Sequence, residues 1–172
     1  MADQRGIIHR YGRNVDTDVI YPARYLNTTD RQEMARHALE DLDPQFVKRA
    51  RTGDYIFAEE NFGCGSSREQ APLVIKDTGI KCVVAKSYAR IFFRNAINIG
   101  LPILVCAEAV DAARHGEEAR VDLGTGAILV RGAVFQAAPF PPFLQRLIEQ
   151  GGLMPYVCSE LKRTAHRDRQ ES

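Results

Sequence analysis

Short apolar runs alternate with amphipathic, glycine-closed stretches along residues 54–106. Residues 54–58 (Asp-Tyr-Ile-Phe-Ala), 80–85 (Ile-Lys-Cys-Val-Val-Ala) and 101–106 (Leu-Pro-Ile-Leu-Val-Cys) are almost continuously apolar. All three read as strands, and the nearly unbroken run at 80–85 predicts one covered on both faces. Between them, residues 69–76 and 88–99 read as helices stopped by Gly79 and Gly100. Strand, helix, strand, helix, strand predicts an α/β layer with parallel strands and right-handed crossovers. Residues 6–10 add a strand before it. Residues 119–123 and 127–131 flank Gly124-Thr-Gly126 as a hairpin, and 132–135 extend the sheet. Shorter helices are expected after Asp30, with Glu33 completing a capping box, after Asp43-Pro44, at 107–115, and at 143–150 behind Pro141-Pro142. Residues 1–161 are read as a single domain and 162–172 as a polar C-terminal tail expected to fray.

The length of 172 residues suits one domain, and a hydrophobic content of 45% is enough for a sizeable core. A net charge of +1 provides no footprint for nucleic acid or an acidic membrane surface. No apolar run reaches the length of a membrane span. The N-terminal Met-Ala-Asp-Gln-Arg-Gly lacks the apolar stretch of a signal peptide, so a cytoplasmic location is expected. Cys64, Cys82, Cys106 and Cys158 are too scattered for a zinc or iron–sulfur site built by this chain alone. Cys82 and Cys106 lie in strand-like runs as small core residues. Cys64 falls in the most unusual segment of the chain.

That segment is Asn-Phe-Gly-Cys-Gly-Ser-Ser-Arg at 61–68. Gly63 and Gly65 permit a turn other residues resist and let a ligand approach the backbone. Ser66 and Ser67 suit a helix N-terminus, where unpaired N–H groups point outward, and Arg68 adds a guanidinium. Pro72 must lie in the first helical turn, which predicts a helix start at Ser67 or Arg68. Such a loop suits a carboxylate or phosphate. The plain alternative is a capped helix after a tight turn, with Arg68 solvated. A P-loop lacks its lysine here, and a nucleophile elbow lacks its flanking glycines. Upstream, Asp16-Thr-Asp18 is either Asx-turn chemistry or a carboxylate that orients a nearby hydroxyl or cation. Arg24 and Asn27 are available for polar recognition. Arg90 and Arg94 share a helix face, with surface or subunit contacts as their plainest use. His9, His37, His115 and His166 fall in no constellation.

Three stretches together carry a resemblance. They are Val-Asp-Thr-Asp-Val-Ile-Tyr-Pro-Ala-Arg-Tyr-Leu at 15–26, Asn-Phe-Gly-Cys-Gly-Ser-Ser-Arg-Glu at 61–69, and Ala-Arg-Ile-Phe-Phe-Arg-Asn-Ala-Ile-Asn-Ile-Gly-Leu-Pro at 89–102. The chain resembles the small subunits of 3-isopropylmalate dehydratases, in the aconitase superfamily, over roughly residues 6–158. The resemblance implies a swivelling three-layered β/β/α domain with a mostly parallel sheet. It implies a large partner subunit that carries a [4Fe–4S] cluster, with no cluster ligand from this chain. The implied reaction isomerises 2-isopropylmalate to 3-isopropylmalate through 2-isopropylmaleate, in leucine biosynthesis.

Under that resemblance Ser66 matches the catalytic serine base. Ser67 and Arg68 match residues that hold a substrate carboxylate, and Asp18 matches an active-site aspartate. A serine is a weak base unless cations and N–H donors hold it as an alkoxide in a dry site. The partner's cluster would act as a Lewis acid on the departing hydroxyl. The segment after Tyr25-Leu26 is implied to read the substrate's variable group. Homoaconitases often carry an arginine where this chain has Asn27, so Asn27 favours the isopropyl substrate. Dimethylmalate remains an alternative substrate, as does a homoaconitase activity. Gln70 is a departure, since many relatives carry His there. A non-catalytic anion-binding module is the reading from another class.

Overall fold

The computed structural model describes residues 5–170, with side chains through Arg163. The expectations for the first four residues, for the last two and for the His166 side chain lie outside the described residues. The elements run β1 (Gly6–Tyr11), α1 (Thr17–Ile20), a 3-10 turn (Ala23–Tyr25), α2 (Arg31–Ala35), α3 (Phe46–Arg49), β2 (Tyr55–Ala58) and α4 (Gln70–Asp77). They continue β3 (Cys82–Ala85), α5 (Arg90–Ile99), β4 (Ile103–Val105), α6 (Ala107–Ala112), β5 (Glu118–Val121), β6 (Ala127–Val130), β7 (Ala133–Gln136), α7 (Pro142–Glu149) and α8 (Leu153–Gln170).

The seven strands form one sheet in the order β4-β3-β2-β1-β5-β6-β7. β1 to β4 pair in parallel, in the register Tyr55↔Cys82 and Ile8↔Tyr55. β5 is antiparallel to β1, and β6 to β5, so β6 again runs with the parallel set. Every residue of β2 and β3 is buried, as their unbroken apolar runs require. β5 alternates between exposed and buried positions, the pattern of a strand with one wet face. The α/β architecture with its mostly parallel sheet is thus the one expected. No helix among the described residues is long and apolar enough to cross a membrane.

The Asx-turn reading of 16–18 is met: the Asp16 side chain accepts the Asp18 N–H at 2.7 Å, and that bond caps one helical turn, α1. Three local expectations are corrected. The helix expected from Ser67 or Arg68 begins only at Gln70. Pro72 is then its third residue, still within the turn where a missing N–H costs nothing. The Asp43-Pro44 pair lies ahead of α3, which begins at Phe46. The polar segment 162–170, expected to fray, continues α8 as helix.

Candidate active site

The carboxyl ends of β1, β2 and β3 are neighbours, so the loops leaving them are neighbours too. The Val15 carbonyl accepts the Gly63 N–H at 2.7 Å, and the Cys64 carbonyl accepts the Thr17 N–H at 2.8 Å. On the other side Phe62 accepts from the Ala89 N–H at 2.9 Å and donates to the Ser87 carbonyl at 3.1 Å. Asp16↔Cys64 and Phe62↔Tyr88 are parallel bridges. Residues 61–64 therefore act as the middle strand of a miniature sheet that prolongs the main one. The carboxyl end of a parallel sheet is where α/β folds bind ligands.

Close approach explains the two glycines of the loop. A Cβ on Gly63, at φ +77°, would lie 2.1 Å from the Phe92 ring. A Cβ on Gly65, at φ +90°, would lie 2.4 Å from the Asp16 carboxylate. Both φ values also sit in the left-handed region that side chains disfavour. Phe92 in turn packs edge-on against Phe62, with ring centres 5.2 Å apart, which seats α5 beneath the loop.

Beyond Gly65 the chain rises into solvent. Ser66 and Ser67 are exposed, and among the described residues neither hydroxyl is taken up by a hydrogen bond. What fixes them is backbone: the Ser66 carbonyl accepts the Thr17 hydroxyl at 3.1 Å and the Arg68 N–H at 2.8 Å. The amides of Gly65, Ser66 and Ser67 donate to no acceptor among the described residues. Next to them the Arg68 side chain is only 9% exposed. Its Nη1 donates to the Tyr21 carbonyl at 2.7 Å, and its Nη2 lies 2.6 Å from Asp18 Oδ1. Asp18 is 58% exposed, so the guanidinium meets a carboxylate at the mouth of the site. The arrangement offers a free hydroxyl, free N–H donors and an anchored cation on one open surface. Those are the parts needed to bind an anion and to favour a developing negative charge.

Among the described residues nothing around Cys64 favours a nucleophile. Burial, and then the nearby Asp16 charge, push its thiol above the ordinary value, which disfavours the reactive thiolate. Among the described residues, no group of three or more His, Cys, Asp or Glu is gathered to hold a metal ion. A cleft of about 570 Å³ lined by Ser87, Tyr88, Arg90, Phe93, Arg94 and Val105 adjoins the loop through Ser87, whose hydroxyl accepts the Asn61 N–H at 2.9 Å.

Ser66, Ser67, Arg68 and Asp18 are thus brought together. The serines do not cap a helix: Glu69 holds the N-cap position of α4, and Arg68, anchored to Tyr21 and Asp18, keeps 66–69 in the loop. Asn27 is exposed just past the 3-10 turn. Arg24 does not reach into the cluster, because Asp41 takes both ends of its guanidinium, at 2.8 and 2.6 Å. Sequence reasoning overlooked Thr17, which steadies Ser66, and the main chain of Tyr21, which seats Arg68. Thr17 carried one usable cue, a small polar residue kept between two carboxylates.

Residues 4–108 match the aconitase C-terminal domain family. The chain is 56% identical over 163 residues to the 3-isopropylmalate dehydratase small subunit of Caldicellulosiruptor bescii, covering 94% of this chain and 98% of that protein. It is 55% identical over 155 residues to the 2,3-dimethylmalate dehydratase small subunit of Eubacterium barkeri, covering 89% of this chain and 95% of that one. A crystal structure of 3-isopropylmalate dehydratase from Methanocaldococcus jannaschii superposes with a TM-score of 0.89 at 39% identity, covering 95% of this chain and 98% of that one. The sheet order, the serine loop at its carboxyl end and these likenesses agree: the chain belongs to the aconitase C-terminal domain family, and it is similar over nearly its full length to dehydratase small subunits.

Proposed function

We propose that this chain is the small, hydro-lyase subunit of a cytoplasmic 3-isopropylmalate dehydratase of leucine biosynthesis. The observation that carries the proposal is the open serine loop beside an anchored arginine, in a chain similar over nearly its full length to small subunits of that activity. Ser66 is the base that removes the proton beside a carboxylate. Its hydroxyl is free, and the N–H groups of 65–67 together with Arg68 favour its ionised form. Ser67 and the remaining donors of Arg68 hold the substrate carboxylate. Asp18 lies on the same guanidinium and orients it, and its exposure lets it yield place to the substrate. Asn27 faces the variable group and offers no charge for a third carboxylate.

In this reading a [4Fe–4S] cluster is carried by the large partner subunit, as kinship with aconitase-family dehydratase small subunits implies. When bound there it supplies Lewis-acid chemistry. This chain contributes the base, the carboxylate contacts and the walls of half a pocket. A 2,3-dimethylmalate dehydratase is the second reading, favoured by the Eubacterium barkeri relative. Reconstitution with a cluster-bearing large subunit, followed by a substrate panel, decides between them. Turnover of 2-isopropylmalate above dimethylmalate and homocitrate is the expected result. Tight binding of malate analogues by the isolated chain, without turnover in any pairing, would instead point to an anion-binding module.

A further inference from the structure

Arg68 and the turn that carries Asn27 are joined through one buried residue. The Tyr21 carbonyl accepts from Arg68 Nη1 at 2.7 Å. The hydroxyl of the same Tyr21, which is 0% exposed, donates to the Tyr25 carbonyl at 2.7 Å. Tyr25 ends the 3-10 turn, and Leu26 and Asn27 follow directly.

The turn is framed from its outer side as well. The His37 ring stacks on the Tyr25 ring at 3.6 Å and 13°. The Arg24 guanidinium carbon lies 4.7 Å from the centre of that same ring. Glu40 ties the group together: it accepts the Tyr25 hydroxyl at 3.1 Å, meets His37 Nδ1 at 2.6 Å and lies 3.4 Å from Arg24. Asp41 grips Arg24 at both ends, and Glu33 meets His37 Nε2 at 3.3 Å. Beneath, Leu39 donates its N–H to the Ile20 carbonyl at 2.7 Å while held at φ +59°, a conformation bulky residues avoid.

We propose that Tyr21 is a positioning residue that sets the substrate-reading turn at a fixed distance from Arg68. Arg24, with Asp41, His37 and Glu40, clamps the Tyr25 ring and is not a ligand of the substrate. This rests on the reading, given above, that Asn27, just after Tyr25-Leu26, faces the substrate's variable group. Carboxylate contact and side-group contact then lie on one rigid frame, so substrates are sorted by the length between the two ends.

Tyr21→Phe is the clean test, because it removes the hydroxyl while keeping the ring and the carbonyl that holds Arg68. In the reconstituted enzyme KM for 2-isopropylmalate should rise about fivefold, the scale of one lost hydrogen bond, with a smaller change in kcat. The preference over 2,3-dimethylmalate should shrink by a similar factor. Arg24→Gln and Asp41→Asn should each raise KM, and the double variant should be no worse than either alone. Additive losses, or a loss for Arg24→Gln that Asp41→Asn does not share, would make Arg24 a direct ligand. Hydrogen exchange across residues 22–29 should speed up in Tyr21→Phe, with melting otherwise intact. Unchanged exchange there overturns the proposal even if the substrate proves to be another malate. Silence of the wild-type pair on every malate, with the exchange effect present, would count against the proposed activity and not against the frame.

Discussion

The role proposed for Ser66 depends on the surroundings more than on the side chain. A hydroxyl becomes a base only where donors and a cation make its ionised form tolerable, and the unpaired amides of 65–67 and the neighbouring Arg68 are the groups proposed to do so. Ser66→Ala should therefore lower kcat by about 10²–10⁴, the range for a lost general base, while assembly with the large subunit is unchanged. Stopped-assay rates on the reconstituted pair check this, and near-normal turnover would remove Ser66 from the role. Arg68→Lys should raise KM by at least about tenfold, since an ammonium cannot span the Tyr21 carbonyl, Asp18 and a substrate carboxylate together.

Among the elements, the loop between β2 and α4 is shaped by what packs under it. Gly63→Ala puts a methyl group into the Phe92 ring and a side chain at φ +77°, so it should destabilise the fold by ~2–3 kcal/mol. A lowered melting temperature, with α5 losing exchange protection first, is the expected readout. The β1–β2 pair contains a second test. Burial opposes the charge of Asp54, yet His9 at 3.0 Å and the amides of Ile7 and Arg51, both at 2.9 Å, hold its carboxyl below the ordinary value. The folded state then binds this proton less readily than the unfolded chain does. Its stabilisation is complete above the unfolded value of about 4 and is lost as pH falls through the lower folded value. Melting curves of wild type and Asp54→Asn from about pH 5 to pH 2 should converge towards acid.

For the whole molecule, the proposed site is an open surface that a partner would complete. Ser66, Ser67, Asp18 and Asn27 are all exposed, a poor setting for an alkoxide until something covers them. The isolated chain should show no measurable dehydratase activity, and activity should appear on titration with the large subunit and saturate at a fixed ratio. Activity of the chain alone would contradict this. The cleft lined by Arg90, Phe93 and Arg94 stands beside the same loop, on the side away from α1.

Much of this was open to inspection before any fold was known. The apolar runs at 80–85 and 101–106 read as strands, the first covered on both faces, and Gly100 closes the helix between them, because burial and left-handed backbone leave direct marks on composition. The serine loop announced itself for the same reason: its glycines answer to Phe92 and Asp16. Other features left no such mark. Nothing local distinguishes Arg24, gripped by Asp41, from Arg68, facing the site, since each is an arginine near polar residues. Nothing local delays α4 to Gln70, because the bonds responsible come from Thr17 and Tyr21, about fifty residues upstream. Contacts between residues distant in the chain exist only once β1 and β2 lie side by side, so the partners of each charge were settled by packing and not by sequence.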